Sequence, residues 1–182
     1  MATVTRYVNT GSTSGGYGTT NATSGSTRAY PSLAYFLEVG APSIADGDEW
    51  IIECCGTAAD TSGTSDLSVT IAATGKLTIR ANRSDAAGFY DGPLEYSTSH
   101  YRLEPASNYA LLVYRHHVTV DGIQVKVASS SPIGINFAPS YIGHDNVLKN
   151  CRVHGQGSTG VGLKLFASFG AAIPNMYAYN NI

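Results

Sequence analysis

The side chains of this sequence that could move protons are its histidines and carboxylates. His116 and His117 stand together ahead of a β-branched run, and His144 is followed directly by Asp145. A carboxylate beside an imidazole can orient it as a general base. No Ser or Cys nucleophile falls in step with that pair. Glycan-cleaving chemistry needs clustered acids, or a calcium site with a basic residue nearby. The 13 acidic residues here are scattered instead. Cys54, Cys55 and Cys151 form no C-x-x-C pair. A strand would also send Cys151 and His154 to opposite faces. All three cysteines are expected as buried or half-buried apolar side chains. The reading is of no catalytic residue, no metal site and no cofactor, and it leans away from an enzyme.

Aromatic residues carry a stronger hint. The chain has 12 tyrosines, and eight of them (Tyr90, Tyr96, Tyr101, Tyr109, Tyr114, Tyr141, Tyr177 and Tyr179) lie in or beside strand-like segments. An aromatic ring offers a flat apolar face and Tyr adds a polar tip, which suits interfaces and sugar faces. Packing is the plainer reading for most of them. The insertion Arg83–Ser99 breaks the rhythm of its neighbours, and loops projecting from a rigid scaffold are where binding concentrates. Phe89, Tyr90, Asp91 and Tyr96 are the candidate ligand-binding residues there. Arg152 and His154, expected on an outward strand face, could touch an anionic sugar.

The elements that must position these residues follow from composition and pattern. A chain of 182 residues and net charge −2 is about one domain, long enough to bury a core. Charged residues are 13 %, about half the usual share. That lacks the basic footprint of a nucleic-acid binder and the basic patch of a membrane-surface binder. No apolar run approaches the roughly 18 residues of a membrane span. Met1–Asn9 lack a positive stretch followed by an apolar one, so no secretory signal is read.

Thr10–Thr27 is almost entirely Gly, Ser and Thr and reads as a surface loop. One helix of about ten residues is expected after it. Pro31 suits its first position, Leu33, Phe36 and Leu37 share one face, and Gly40 with Pro42 stops it. Nearly everything later reads as short strands bounded by turn residues: Trp50–Cys55, Leu67–Ala72, Lys76–Ala81, Tyr101–Glu104, Tyr109–Tyr114, Val118–Val127, Gly134–Phe137, Val147–His154, Gly162–Phe166 and Asn175–Ile182.

Three of these stretches align. Leu111, Ile135 and Leu163 correspond, as do Ile123, Cys151 and Ile182. Repeats of 20 to 50 residues mark stacked architectures. Just before the second set stand Gly122, Asn150 and Asn181, the residue types that accept a left-handed backbone. A parallel stack must bend between strands in every repeat, and this column reads as the bend. Ile123, Cys151, Val125 and Val153 then face inward by the period of two, and Gln124, Arg152, Lys126 and His154 face outward. In the same register Asp121 aligns with Lys149 and Asn180, which reads as an ion pair or a solvated ladder between neighbouring repeats, a catalytic carboxylate being the lesser reading.

With these features the chain resembles the N-terminal portion of a right-handed parallel β-helix of the pectin-lyase-like superfamily, especially the versions carried by tailed-phage tailspikes and related virion proteins. The resemblance is carried by Thr5–Glu38, by DGDEWIIECCGT (Asp46–Thr57) and by the VTVDGIQV-type segments. It implies an all-β fold, a right-handed parallel β-helix (solenoid) with one short N-terminal capping helix. Residues 1–45 would be the cap, and 46–182 the coils, truncated at the C-terminal end. Solenoids need covered ends, so the chain is expected to be a fragment or to have its open end covered by a partner chain. The function implied is that of a virion structural protein of tailspike or tail-fibre type on the particle surface. It would be a homo-oligomer, a trimer, touching other virion proteins and a surface polysaccharide, with no nucleic acid and no membrane span. The alternatives are a polysaccharide lyase or glycoside hydrolase with its active site beyond residue 182 or between subunits, and a capsid decoration or cement protein.

Overall fold

A computed structural model describes residues 1–39, 43–62, 69–82, 96–105, 109–127, 133–137, 145–155, 161–165 and 176–179. The elements are β1 (Thr3–Asn9), α1 (Leu33–Val39), β2 (Ser43–Ile44), β3 (Glu49–Cys55), β4 (Ala59–Asp60), β5 (Thr70–Ile71) and β6 (Lys76–Ala81). They continue with β7 (Arg102–Leu103), β8 (Tyr109–Val113), β9 (Val118–Asp121), β10 (Gln124–Val127) and β11 (Ile133–Phe137). The last are β12 (Asn146–Lys149), β13 (Arg152–Gly155), β14 (Val161–Leu165) and β15 (Met176–Tyr179).

The structure is all-β apart from α1, and every strand pair among the described residues is parallel. A six-stranded sheet runs β1-β3-β6-β9-β12-β15, a four-stranded sheet β13-β10-β7-β4, a three-stranded sheet β14-β11-β8, and β2 pairs with β5. From β6 onward the chain visits the six-, four- and three-stranded sheets in that order three times, and β15 returns it to the first. The register sets Ile135 beside both Leu111 and Leu163, and Gln124 beside Arg152, as the sequence alignment requires.

Between β9 and β10, Gly122 has φ 72°, and between β12 and β13, Asn150 has φ 54°. These are the expected left-handed corners, one strand apart. The Gly122 N–H donates to the Lys149 carbonyl at 3.0 Å, and the Arg152 N–H to the Ile123 carbonyl at 3.1 Å. Ile123 and Cys151 follow the corners and are fully buried. Asn181 and Ile182 lie outside the described residues. Inward residues of the stacked strands, among them Ile52, Leu77, Ile79, Val120, Val125, Leu148 and Cys151, make one apolar core with Leu33, Phe36 and Leu37 of the helix.

The helix starts at Leu33, two residues later than expected from Pro31. The reason is local: Ser32 is the cap, its Oγ accepting the Tyr35 N–H at 3.0 Å, a better N-terminal partner than proline can supply. A second partner, this one a carboxylate, comes from far away in the chain. Asp60, 2 % exposed, accepts the Leu33 N–H at 2.8 Å, the Tyr101 hydroxyl at 2.6 Å and the Ser62 N–H at 3.0 Å. Burial raises its pKa, and these bonds only partly offset that.

The Gly/Ser/Thr segment is largely exposed, as expected of a surface loop, and it also lies along the free edge of β1. The Tyr7 N–H donates to the Gly18 carbonyl at 2.8 Å, the Tyr30 N–H to the Tyr7 carbonyl at 2.9 Å, and the Asn9 N–H to the Tyr30 carbonyl at 2.8 Å. An edge left bare would invite another strand. Gly18 must be glycine here: its φ is 65°, and a Cβ would fall 2.2 Å from the Tyr30 ring.

One expectation fails. Gln124 and Arg152 alternate outward along their strands, yet they are 0 % and 7 % exposed. For Gln124 the cause is the segment 96–101, which lies on the outer side of the four-stranded sheet. The Ser97 N–H donates to Gln124 Oε1 at 2.8 Å, and Gln124 Nε2 donates to the Ser97 carbonyl at 3.2 Å and the Tyr101 carbonyl at 3.4 Å. Lys126 is half-buried and His154 exposed.

Candidate functional site

The outer face of the six-stranded sheet carries a cleft of about 450 Å³. Period-two alternation builds it, each strand sending every second side chain outward. Glu49 and Ile51 come from β3, and Lys76, Thr78 and Arg80 from β6. Thr119 and Asp121 come from β9 with His117 just before it, and Val147 and Lys149 from β12 with Asp145 just before it. Register turns these into rows across the strands. Ile51, Thr78, Thr119 and Val147 form a central row, and the series continues to Tyr177 on β15, which is 52 % exposed. Glu53, Arg80, Asp121 and Lys149 form a second row of alternating sign.

That charged row is internally matched. Arg80 Nε donates to Glu53 Oε1 at 2.7 Å, and the bond raises the Arg80 pKa further. Lys149 Nζ lies 3.3 Å from Asp121 Oδ2, the pairing read from the repeat, and Asn150 Nδ2 donates to Asp121 Oδ1 at 2.7 Å. On the opposite row the corner before β9 is held by Asn146. Its Oδ1 accepts the Val118 N–H, and its Nδ2 donates to the Arg115 carbonyl, both at 2.9 Å. This fixes His117 in a left-handed conformation, φ 55°, with its ring edge-on to His116 at 5.1 Å. Burial, then the neighbouring His117, holds the His116 pKa below its ordinary value.

The residues singled out from the sequence lie mainly elsewhere. Phe89, Tyr90 and Asp91 fall outside the described residues, as does His144. Tyr96 and His154 meet on the outer side of the four-stranded sheet, ring centroids 5.5 Å apart. The Tyr96 hydroxyl donates to Glu104 Oε1. Arg102 Nε lies 2.6 Å from the same oxygen, and Lys126 Nζ lies 3.7 Å from Glu104 Oε2. Burial and the Glu104 bond raise the Tyr96 pKa. Burial works against the Glu104 charge, but the Tyr96 and Arg102 bonds outweigh it and its pKa is lowered. Arg152 is buried, and of the six candidates Tyr96 and His154 are the two whose rings are described in contact.

Sequence reasoning missed Lys76, Arg80 and the central row. A signal existed: Glu49/Glu53, Lys76/Arg80, His117/Asp121 and Asp145/Lys149 are pairs of polar, mostly charged residues four apart, one pair to each strand. The cysteines are free and buried, and burial pushes the Cys151 thiol up to about 12. Among the described residues no group of three or more His, Cys, Asp or Glu side chains is placed to hold a metal ion, and no helix is long and apolar enough to cross a membrane. The cleft therefore offers a neutral, β-branched floor between polar walls, a surface suited to holding an extended polar chain. No family model, curated protein or solved structure matches this sequence.

Proposed function

We propose that the chain is part of a right-handed parallel β-helix in a virion fibre of tailspike or tail-fibre type, and that it binds a surface polysaccharide without cleaving it. The recurring order of sheet visits supports the winding, and the resemblance noted in the sequence supports the setting. The observation that carries the binding role is the cleft itself. It spans parallel strands held rigid by their ladders, its floor is uncharged, and Glu53 and Asp121 are each tied to a cation. A carboxylate engaged in that way is a poor proton shuttle. The assembly is a homotrimer bound to other virion proteins. Native mass measurement and co-sedimentation with bacterial surface glycans test the reading, the expected result being a trimer that binds and leaves the glycan length unchanged. A monomer that shortens the glycan would overturn it.

A second reading, a polysaccharide lyase or glycoside hydrolase, is favoured by one feature. Continuing the β9–β12 register sets His117 beside Asp145 on the cleft wall, a base and an acid on neighbouring strands. Release of new reducing ends by the wild-type chain, abolished in His117→Ala, would select this reading.

A further inference from the structure

We propose that the cleft takes a neutral, hydroxyl-rich glycan lying across the strands, and that Tyr177 is the platform on which one of its sugar rings stacks. The inference rests on the glycan-binding reading above and names its ligand class. Apart from His117, the charged lining is balanced: Lys76, Arg80 and Lys149 face Glu49, Asp121 and Asp145. An anionic polymer laid along these rows would meet a carboxylate wherever it met a cation, and it would compete with the Arg80–Glu53 and Lys149–Asp121 pairs. Sugar hydroxyls avoid that conflict, because each can donate to a carboxylate and accept from an ammonium or guanidinium. The row direction fixes the orientation of the chain. Neighbouring strands are about 4.8 Å apart, so a ligand following the Ile51–Thr78–Thr119–Val147 row crosses one strand per step. That row leads to Tyr177, in register with Val147 and half exposed. Its ring is the one aromatic face described on this row, and an aromatic face suits the apolar side of a sugar ring.

The test is a printed array of neutral and uronate-bearing bacterial oligosaccharides probed with the full chain. Titration of the best binder follows, with wild type, Tyr177→Ala, Tyr177→Phe and Tyr17→Ala. Tyr17 is an exposed ring on the Gly/Ser/Thr segment and serves as the control. The expected result is preference for neutral sugars and a roughly fivefold loss of affinity in Tyr177→Ala, the scale of one aromatic contact, with Tyr177→Phe and Tyr17→Ala close to wild type. Binding should change less than about twofold between about 0.05 and about 0.5 M sodium chloride, since screening acts on charge pairs. Preference for uronate-bearing sugars with strong salt dependence would overturn the neutral-ligand inference and leave glycan binding standing. Neutral binding indifferent to Tyr177→Ala would remove the platform. Binding to no sugar on the array would overturn the inference together with the reading beneath it.

Discussion

The outer faces of the six-stranded and four-stranded sheets are built by the same parallel ladder and the same alternation, yet they end differently. On the first, Lys76, Thr78, Thr119 and Lys149 line an open cleft. On the second, the segment 96–101 crosses the strands and buries Gln124. What separates them is a cover supplied from elsewhere in the chain. Under the cover a polar group must find every partner inside the protein, and losing one costs the full desolvation penalty. In the open, water replaces a lost partner, and a surface ion pair contributes little. The covered polar groups should therefore hold the fold and the open ones should shape binding.

The largest test of that contrast is Asp60→Ala. It strands the Leu33 N–H, the Ser62 N–H and the Tyr101 hydroxyl together and uncouples the helix from the stack. A loss of about 3 kcal/mol is expected, read from urea unfolding, and a loss under about 1 kcal/mol would show that water reaches the site. Gln124→Ala comes next at about 1.5 kcal/mol, since it leaves the Ser97 N–H without its acceptor and loosens the cover. Limited proteolysis within 96–101 should accelerate in that variant and not in Asp60→Ala held below its melting transition.

The same contrast explains what was legible in the sequence. Leu111, Ile135 and Leu163, and the corner residues Gly122 and Asn150, could be read because each repeats its physical demand at a nearly constant step. The Glu49–Lys76 and Glu53–Arg80 neighbours obey the same rule, but β6 and β9 are separated by the long insertion containing Arg83–Ser99, which hides the period. The burial of Gln124 was not readable at all. Alternation correctly sends it outward, and only the distant Ser97 and Tyr101 decide that outward is not exposed. Asp60 was hidden for a related reason: a carboxylate in a two-residue strand looks like a turn residue until the helix terminus arrives to meet it. Tyr96 and His154 stand 58 residues apart in the sequence, and only the fold puts their rings in contact.

On the open face the effects shrink. Lys149→Met takes the cation from Asp121, a buried carboxylate that keeps Asn150 as a partner, so about 1 kcal/mol is expected. A loss several times larger would mean that the open face also holds the fold.

The smallest and sharpest test is pH, because two carboxyls, Asp60 and Glu104, carry shifts of opposite sign. Asp60 has a raised pKa, so between its unfolded value of 3.8 and its higher folded value the native state holds the extra proton. Its contribution to stability therefore improves as pH falls through that window. Glu104 has a lowered pKa, so its contribution is complete above its unfolded value of 4.5 and is lost as pH falls through the folded value. In wild type the two trends oppose each other, and removing one group exposes the other. Unfolding free energies measured from neutral to acid pH should show the deficit of Asp60→Asn widening on acidification, and that of Glu104→Gln narrowing. If both deficits moved the same way, burial and pairing would not be acting differently at the two sites. The distinction between a carboxylate held by neutral donors under the helix and one held by Arg102 and Tyr96 beside the cover would then fail.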